Sequence, residues 1–311
     1  MKTDEFDSII FDCDGVLIDV TKSYDTTINR TISYVLKEIA EITVDTPLSN
    51  ELLLKFKSTG GFNDEIDITY AGVLCFIAAK KLNKDPTKLI LDVIDNADDS
   101  GITCIENFLS DEIGTDISDV KARLAYPSTD KNDLIHSTFD QLFFGPELYN
   151  KIFQRESKFS EKGFIENDQV IVNSELIEVL KKKFNDKIAI VTGRGFNAIS
   201  SSLKEILNQF DVGNSVFLED ESRDLAKPNP QSLIRAMKGL DSKNCLYVGD
   251  SMEDMILAKR ASELGFNATF CGIYGSSKLP EMKKELFTEN SVPLILETIN
   301  QLPDTLMIKK A

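Results

Sequence analysis

From about residue 173 onward the sequence alternates between short apolar runs and segments of helical periodicity, and that alternation leaves few architectures open. Leu176, Ile177, Val179, Leu180 and Phe184 mark one helix face, and residues 187–192 (KIAIVT) are a strand. Phe196, Ile199, Leu203, Ile206 and Leu207 predict the next helix, followed by a short strand at 215–218. Leu233, Ile234, Met237 and Leu240 give a further helix, then 244–248 (NCLYV) a strand. Met252, Met255, Ile256 and Leu264 form a helix stopped at Gly265, and 268–273 is the last strand of the series. A run at 6–11, ended by Asp12-Cys13-Asp14-Gly15, adds one strand at the start of the chain. Strands and helices in alternation imply a doubly wound parallel α/β sheet.

Residues 20–171 lack that alternation. Tyr24, Ile28, Ile32, Val35, Leu36 and Ile39 recur at helical spacing, as do Tyr70, Val73, Leu74, Ile77 and Leu82. The expected organisation is therefore a core of 1–19 and 172–311 interrupted by a mostly helical domain of 20–171. Loops at Pro47, Gly60-Gly61, Asp85-Pro86 and Gly145-Pro146 punctuate the insertion.

Composition narrows the chemistry. There is one histidine, His136, in a helical stretch that reads as structural or surface, so triads, Cys-His pairs and multi-histidine metal sites are nearly excluded. Five scattered cysteines without a C-x-x-C pair point to free thiols in a reducing cytoplasm. The acidic start MKTDEFDSII does not resemble a signal peptide, and no apolar run approaches the roughly 20 residues of a membrane span. A net charge of −16 argues against nucleic acid or an anionic membrane as partner. It leaves carboxylates in abundance, the ligands preferred by hard ions such as Mg²⁺.

Four signals fall at strand ends or in the loops after them, the ligand-binding edge of a parallel sheet. In Asp12-x-Asp14-Gly15, one carboxylate can attack phosphorus and the second can exchange protons, although an acidic helix-capping loop has the same residues. Thr192-Gly193-Arg194 offers a hydroxyl and backbone N–H groups to phosphoryl oxygens, or a simple helix cap. Lys227, in AKPNP, supplies a cation, as do many surface lysines. Asp250 and Asp254, in GDSMED, lie one helical turn apart and can approach a cation, or can merely favour a helix start.

Their order and their common placement reinforce one another. DCDGV, VTGR, KPNP and GDSMED resemble the four motifs of the haloacid dehalogenase superfamily, over about 1–19 and 172–311. The resemblance implies Asp12 as nucleophile, Asp14 as general acid/base, and Thr192, Gly193 and Lys227 as phosphate ligands. It implies Mg²⁺ held by Asp12, the Asp14 carbonyl and Asp250, with Asp254 acting through water. The insertion is similar to the helical cap of phosphoglycolate phosphatase-like members, though longer, and the expected activity is hydrolysis of a small-molecule phosphate monoester. A phosphomutase or a non-catalytic phosphate-binding protein would use the same residues. Asp14 argues against a dehalogenase, whose halide leaves without a proton. A response-regulator receiver would carry its aspartate after the third strand.

In the insertion, Gly61, Asn63, Asp64 and Glu65 (within GGFNDE) form either a loop with a helix cap or a specificity loop for a cationic group of the substrate. This segment is similar to a loop in a superfamily subgroup with relatives joined to a histidine-biosynthesis enzyme, which points to an amino-alcohol phosphate such as histidinol phosphate. Nothing in the sequence sets the oligomeric state.

Overall fold

A computed structural model describes residues 6–62, 64–127 and 133–308. The chain divides into two compact units, Lys22–Asn167 and the combination of Met1–Thr21 with Asp168–Ala311.

The first of these units contains α1 (Tyr24–Ala40), α2 (Asn50–Ser58), α3 (Glu65–Leu82), α4 (Pro86–Asp95), α5 (Ile102–Asn107), α6 (Ser118–Leu124) and α7 (Leu134–Phe153). Its centre is α3, buried at Ile66 and at every position from 68 to 79, as an all-round apolar helix must be. It packs against α1, α4, α5 and α7. Both α3 and α4 begin at an aspartate, Asp64 or Asp85, whose side chain accepts from a backbone N–H of the first turn. Tyr24 of α1 stacks on Phe143 of α7 with ring centroids 4.6 Å apart. At Gly145-Pro146, where the sequence predicts a loop, the structure has a one-residue break between two helical segments, both included in α7. Gly145 alone leaves the helical region (φ 69°), and Pro146, lacking an N–H, restarts the helix at no hydrogen-bonding cost.

The other unit is built on β1 (Ser8–Phe11), β2 (Ile18–Asp19), β3 (Gln169–Val170), β4 (Ile188–Thr192), β5 (Val216–Phe217), β6 (Asn244–Gly249), β7 (Asn267–Ile273) and β8 (Leu294–Leu296). Six of them form a parallel sheet in the order β5-β4-β1-β6-β7-β8, while β2 and β3 pair antiparallel. Side chains alternate strictly between the two faces. Ile9, Phe11, Ile188, Ile190, Leu246 and Val248 feed one apolar layer; Ile10, Ala189, Val191, Cys245 and Tyr247 feed the other.

The first layer is closed by α8 (Ser174–Phe184), through Ile177, Leu180 and Phe184, and by α9 (Phe196–Leu203), through Ile199. The second is closed by α10 (Gln231–Gly239), α11 (Met252–Glu263) and α12 (Pro280–Glu289), through Leu233, Met237, Leu257, Ala261 and Phe287. A final short helix, α13 (Leu302–Thr305), returns Leu302 to the first layer. Three details depart from the sequence reading. The sheet has a sixth strand, β8, short and preceded by Pro293; the β2–β3 pair is additional; and α9 ends at Leu203, after which 204–209 tightens into a 3₁₀ turn.

Candidate active site

The three central strands, β4, β1 and β6, end at Thr192, Phe11 and Gly249, which brings Thr192, Asp12 and Asp250 to one edge of the sheet. The winding reverses between β1 and β6, so Asp12 and Asp250 flank the crevice where open α/β sheets bind ligands. The Asp12 N–H extends the ladder by donating to the Val248 carbonyl at 2.7 Å. Gly15 follows at φ +71°, and a Cβ there would stand 2.1 Å from an Asp250 carboxylate oxygen. This turn therefore requires glycine both for its backbone and for the space Asp250 occupies. The Ser276 hydroxyl, in the loop after β7, donates to the Gly15 carbonyl.

Each carboxylate of the cluster has a cation beside it. Lys227 places Nζ 2.9 Å from Asp12 Oδ1 and 2.6 Å from Asp254 Oδ1, in surroundings that leave its side chain 2% exposed. Asp254 belongs to the first turn of α11 and completes a capping box with Ser251. Its Oδ2 accepts from the Asp250 and Ser251 N–H groups at 3.1 Å and from Ser251 Oγ at 2.8 Å, while Oδ1 also accepts from the Tyr247 hydroxyl at 2.7 Å. Burial opposes ionisation of Asp254, but Lys227 and these donors hold it below the usual carboxylate range. Burial likewise opposes charging Lys227, and the negative charges of Asp12 and Asp254 overrule it, holding the ammonium well above its ordinary range. For Asp12, burial wins over the pull of Lys227, and Asp254, Asp14 and Asp250 add to it, pushing the carboxyl well up. Asp250 Oδ2 is paired with the Lys283 ammonium from α12.

Asp14 is held by Arg194, whose Nε lies 2.7 Å from Asp14 Oδ1. The same guanidinium reaches Asp168 Oδ2 at 2.7 Å and Ser202 Oγ at 3.1 Å through Nη1, and Ser202 Oγ donates to Asp168 at 2.8 Å. Thr192 is fully buried at the end of β4, with its Oγ1 3.4 Å from the Arg194 N–H. The start of α9 is occupied by the protein's own acids: the Gly195 N–H donates to Glu219 at 3.0 Å and the Phe196 N–H to Asp220 at 2.7 Å. The helix start expected to receive phosphoryl oxygens is thus already filled, leaving Thr192 and Gly193 as what this turn offers.

Asp12, Asp14, Asp250, Asp254, Thr192 and Lys227 therefore meet within one unit. The candidate specificity loop belongs to the helical unit. There Gly61 is a point of close backbone approach, since a Cβ on it would lie 2.6 Å from the Asp98 carbonyl oxygen. Asp64 caps α3 by accepting from the Ile66 N–H at 2.8 Å, and Glu65 pairs with Lys57 at 3.0 Å. Asn63 lies outside the described residues. Sequence reasoning gave no role to Arg194, Asp168, Ser202, Tyr247 or Lys283. Arg194 had a signal, its place in VTGR; Ser202, Tyr247 and Lys283 sit in ordinary strand and helix sequence, and Asp168 in the link before β3.

A family model for haloacid dehalogenase-like hydrolases matches residues 146–262, a span that includes Thr192, Lys227, Asp250 and Asp254. Over that span the chain is similar to the haloacid dehalogenase-like hydrolases. No curated protein matches its sequence. Solved structures share the fold of the chain at low identity. A structural-genomics target designated ZR25 matches with a TM-score of 0.60 at 18% identity, covering 99% of this chain and 98% of its own. The phosphatase Tt82 from Thermococcus thioreducens gives 0.57 at 21%, covering 90% and 98%. A predicted phosphoglycolate phosphatase from Haemophilus somnus 129pt gives 0.52 at 14%, covering 97% and 98%.

Proposed function

We propose that this protein is a Mg²⁺-dependent phosphatase that cleaves a small-molecule phosphate monoester through a phosphorylated Asp12. The observation that carries the reading is the buried contact of Asp12 with Lys227 beside Asp250, at the strand-end edge where Asp14 also stands. The names of structural neighbours described as phosphatases agree with it.

The donor set fits the metal. One oxygen each from Asp12, Asp250 and Asp254 lie within 4.8 Å of one another, an all-oxygen arrangement of the kind hard divalent cations take. A divalent charge would also offset the burial and like-charge repulsion that push Asp12 up. Asp12, Asp250 and the Asp14 carbonyl would hold the ion. Asp254, with both oxygens engaged by Lys227, Tyr247 and the Ser251 turn, would support it through water. When bound, the ion supplies neutralisation of the phosphoryl oxygens.

The residues of the chain supply the rest. Lys227 and Thr192 orient the phosphoryl group against Asp12. A carboxylate oxygen of Asp12 bonds to phosphorus while the bond from phosphorus to the ester oxygen breaks, and the Asp14 carboxyl proton passes to the departing alkoxide. Asp14, now a carboxylate, takes a proton from water as the water oxygen attacks phosphorus. The bond to Asp12 breaks, and inorganic phosphate leaves.

Hydrolysis of p-nitrophenyl phosphate is the test: activity with Mg²⁺, none in EDTA, and a loss of about a thousandfold or more in Asp12→Asn. Full activity of Asp12→Asn would overturn the proposal. Release of inorganic phosphate across a panel of metabolite phosphates, histidinol phosphate included, separates hydrolysis from isomerisation by a mutase and identifies the substrate.

A further inference from the structure

We infer that Lys283 is a resident counter-cation of Asp250, which holds that carboxylate in place when the metal is away and weakens the metal's grip when it arrives. The inference rests on the metal reading proposed above. Lys283 projects from α12, one turn into the helix, and is 8% exposed. A buried ammonium is costly unless paired, and the partner of this one is Asp250 Oδ2. The other carboxylates of the cluster already have cations: Lys227 serves Asp12 and Asp254, and Arg194 serves Asp14. Asp250 is the member whose compensation comes from Lys283 instead.

Two positive charges beside one carboxylate repel each other, so a divalent ion bound at Asp250 either displaces the Lys283 ammonium or binds against its field. Without the lysine, Asp250 would stand beside Asp12 and Asp254 with no charge of its own to offset theirs, and a metal would gain more by binding. Lys283 thus separates two duties that one ion would otherwise perform, keeping the acidic cluster folded and preparing it for substrate.

The experiment titrates the full chain with Mn²⁺ alone, followed by electron paramagnetic resonance and calorimetry, so the readout does not depend on turnover. Wild type is compared with Lys283→Met, Lys283→Gln and, as a charge-matched control on the exposed side of α12, Lys284→Met. The expected result is a Kd for Mn²⁺ lower by on the order of tenfold in both Lys283 variants, with Lys284→Met like wild type. In EDTA the Lys283 variants should melt at lower temperature and recover when Mn²⁺ is added. Equal or weaker Mn²⁺ binding by folded Lys283 variants, or a loss of stability that Mn²⁺ does not restore, would overturn the inference. If wild type and Asp250→Asn bind Mn²⁺ alike, it is the metal reading that fails.

Discussion

Arg194 is engaged by two carboxylates at once, Asp14 through Nε and Asp168 through Nη1, with its side chain 1% exposed. A planar fork can do this; an ammonium on a flexible stem cannot hold both partners in one geometry. Arg194→Met should cost about 3 kcal/mol, since it strands the buried Asp168 carboxylate, and urea unfolding measures it. Arg194→Lys should keep part of that stability yet leave Asp14 misplaced, so that kcat falls about tenfold or more while KM changes little. At this scale the sequence was partly legible. Asp12, Asp14 and Asp250 stand out because each lies in a short, dense motif just after a strand, and Lys227 because of the prolines that follow it in a loop. Asp168 lies 26 residues from Arg194 in unremarkable sequence, and Lys283 is one of two adjacent lysines on a polar helix, so neither pairing leaves a local trace.

At the start of α7, Asp133 does two things for one helix. Its Oδ1 caps the helix by accepting from the His136 N–H at 2.8 Å, and its Oδ2 meets His136 Nδ1 at 2.5 Å. Burial disfavours the imidazolium, but Asp133, with Asp64 and Asp140 behind it, outweighs burial and raises His136 above its usual 6.5. A raised basic group stabilises the fold below the unfolded value, and that contribution disappears as pH climbs through the folded value. As the chain's single histidine, His136 gives one imidazole signal to follow by NMR titration. Asp133→Asn should keep the cap and lower this pKa; Asp133→Ala should lower it too and lose a further ~1 kcal/mol of stability. The long elements were readable because their periodicity is strong: α1, α3 and the helices facing the sheet all carry it. The elements that escaped are those too short for any period, namely β2, β3 and β8.

Across the whole molecule the parallel sheet was legible from the alternation of strands and helices, because buried parallel strands are continuous apolar runs and the helices between them are amphipathic. The order of the strands was not, since which run lies beside which is decided by pairing over long separations. That order has a consequence for how the protein is made. Of the six strands of the sheet, the one translated first occupies the middle, hydrogen-bonded to β4 on one side and β6 on the other. Its SIIF sequence is buried throughout in the folded protein, and its neighbours are translated only at 188–192 and 244–249, after the entire helical insertion. Closure of the sheet is therefore a late, long-range event. Once closed, the same centrality makes this strand the hardest to reopen. In native-state deuterium exchange, the amides of Ile9, Ile10 and Phe11 should be among the last to yield their protons.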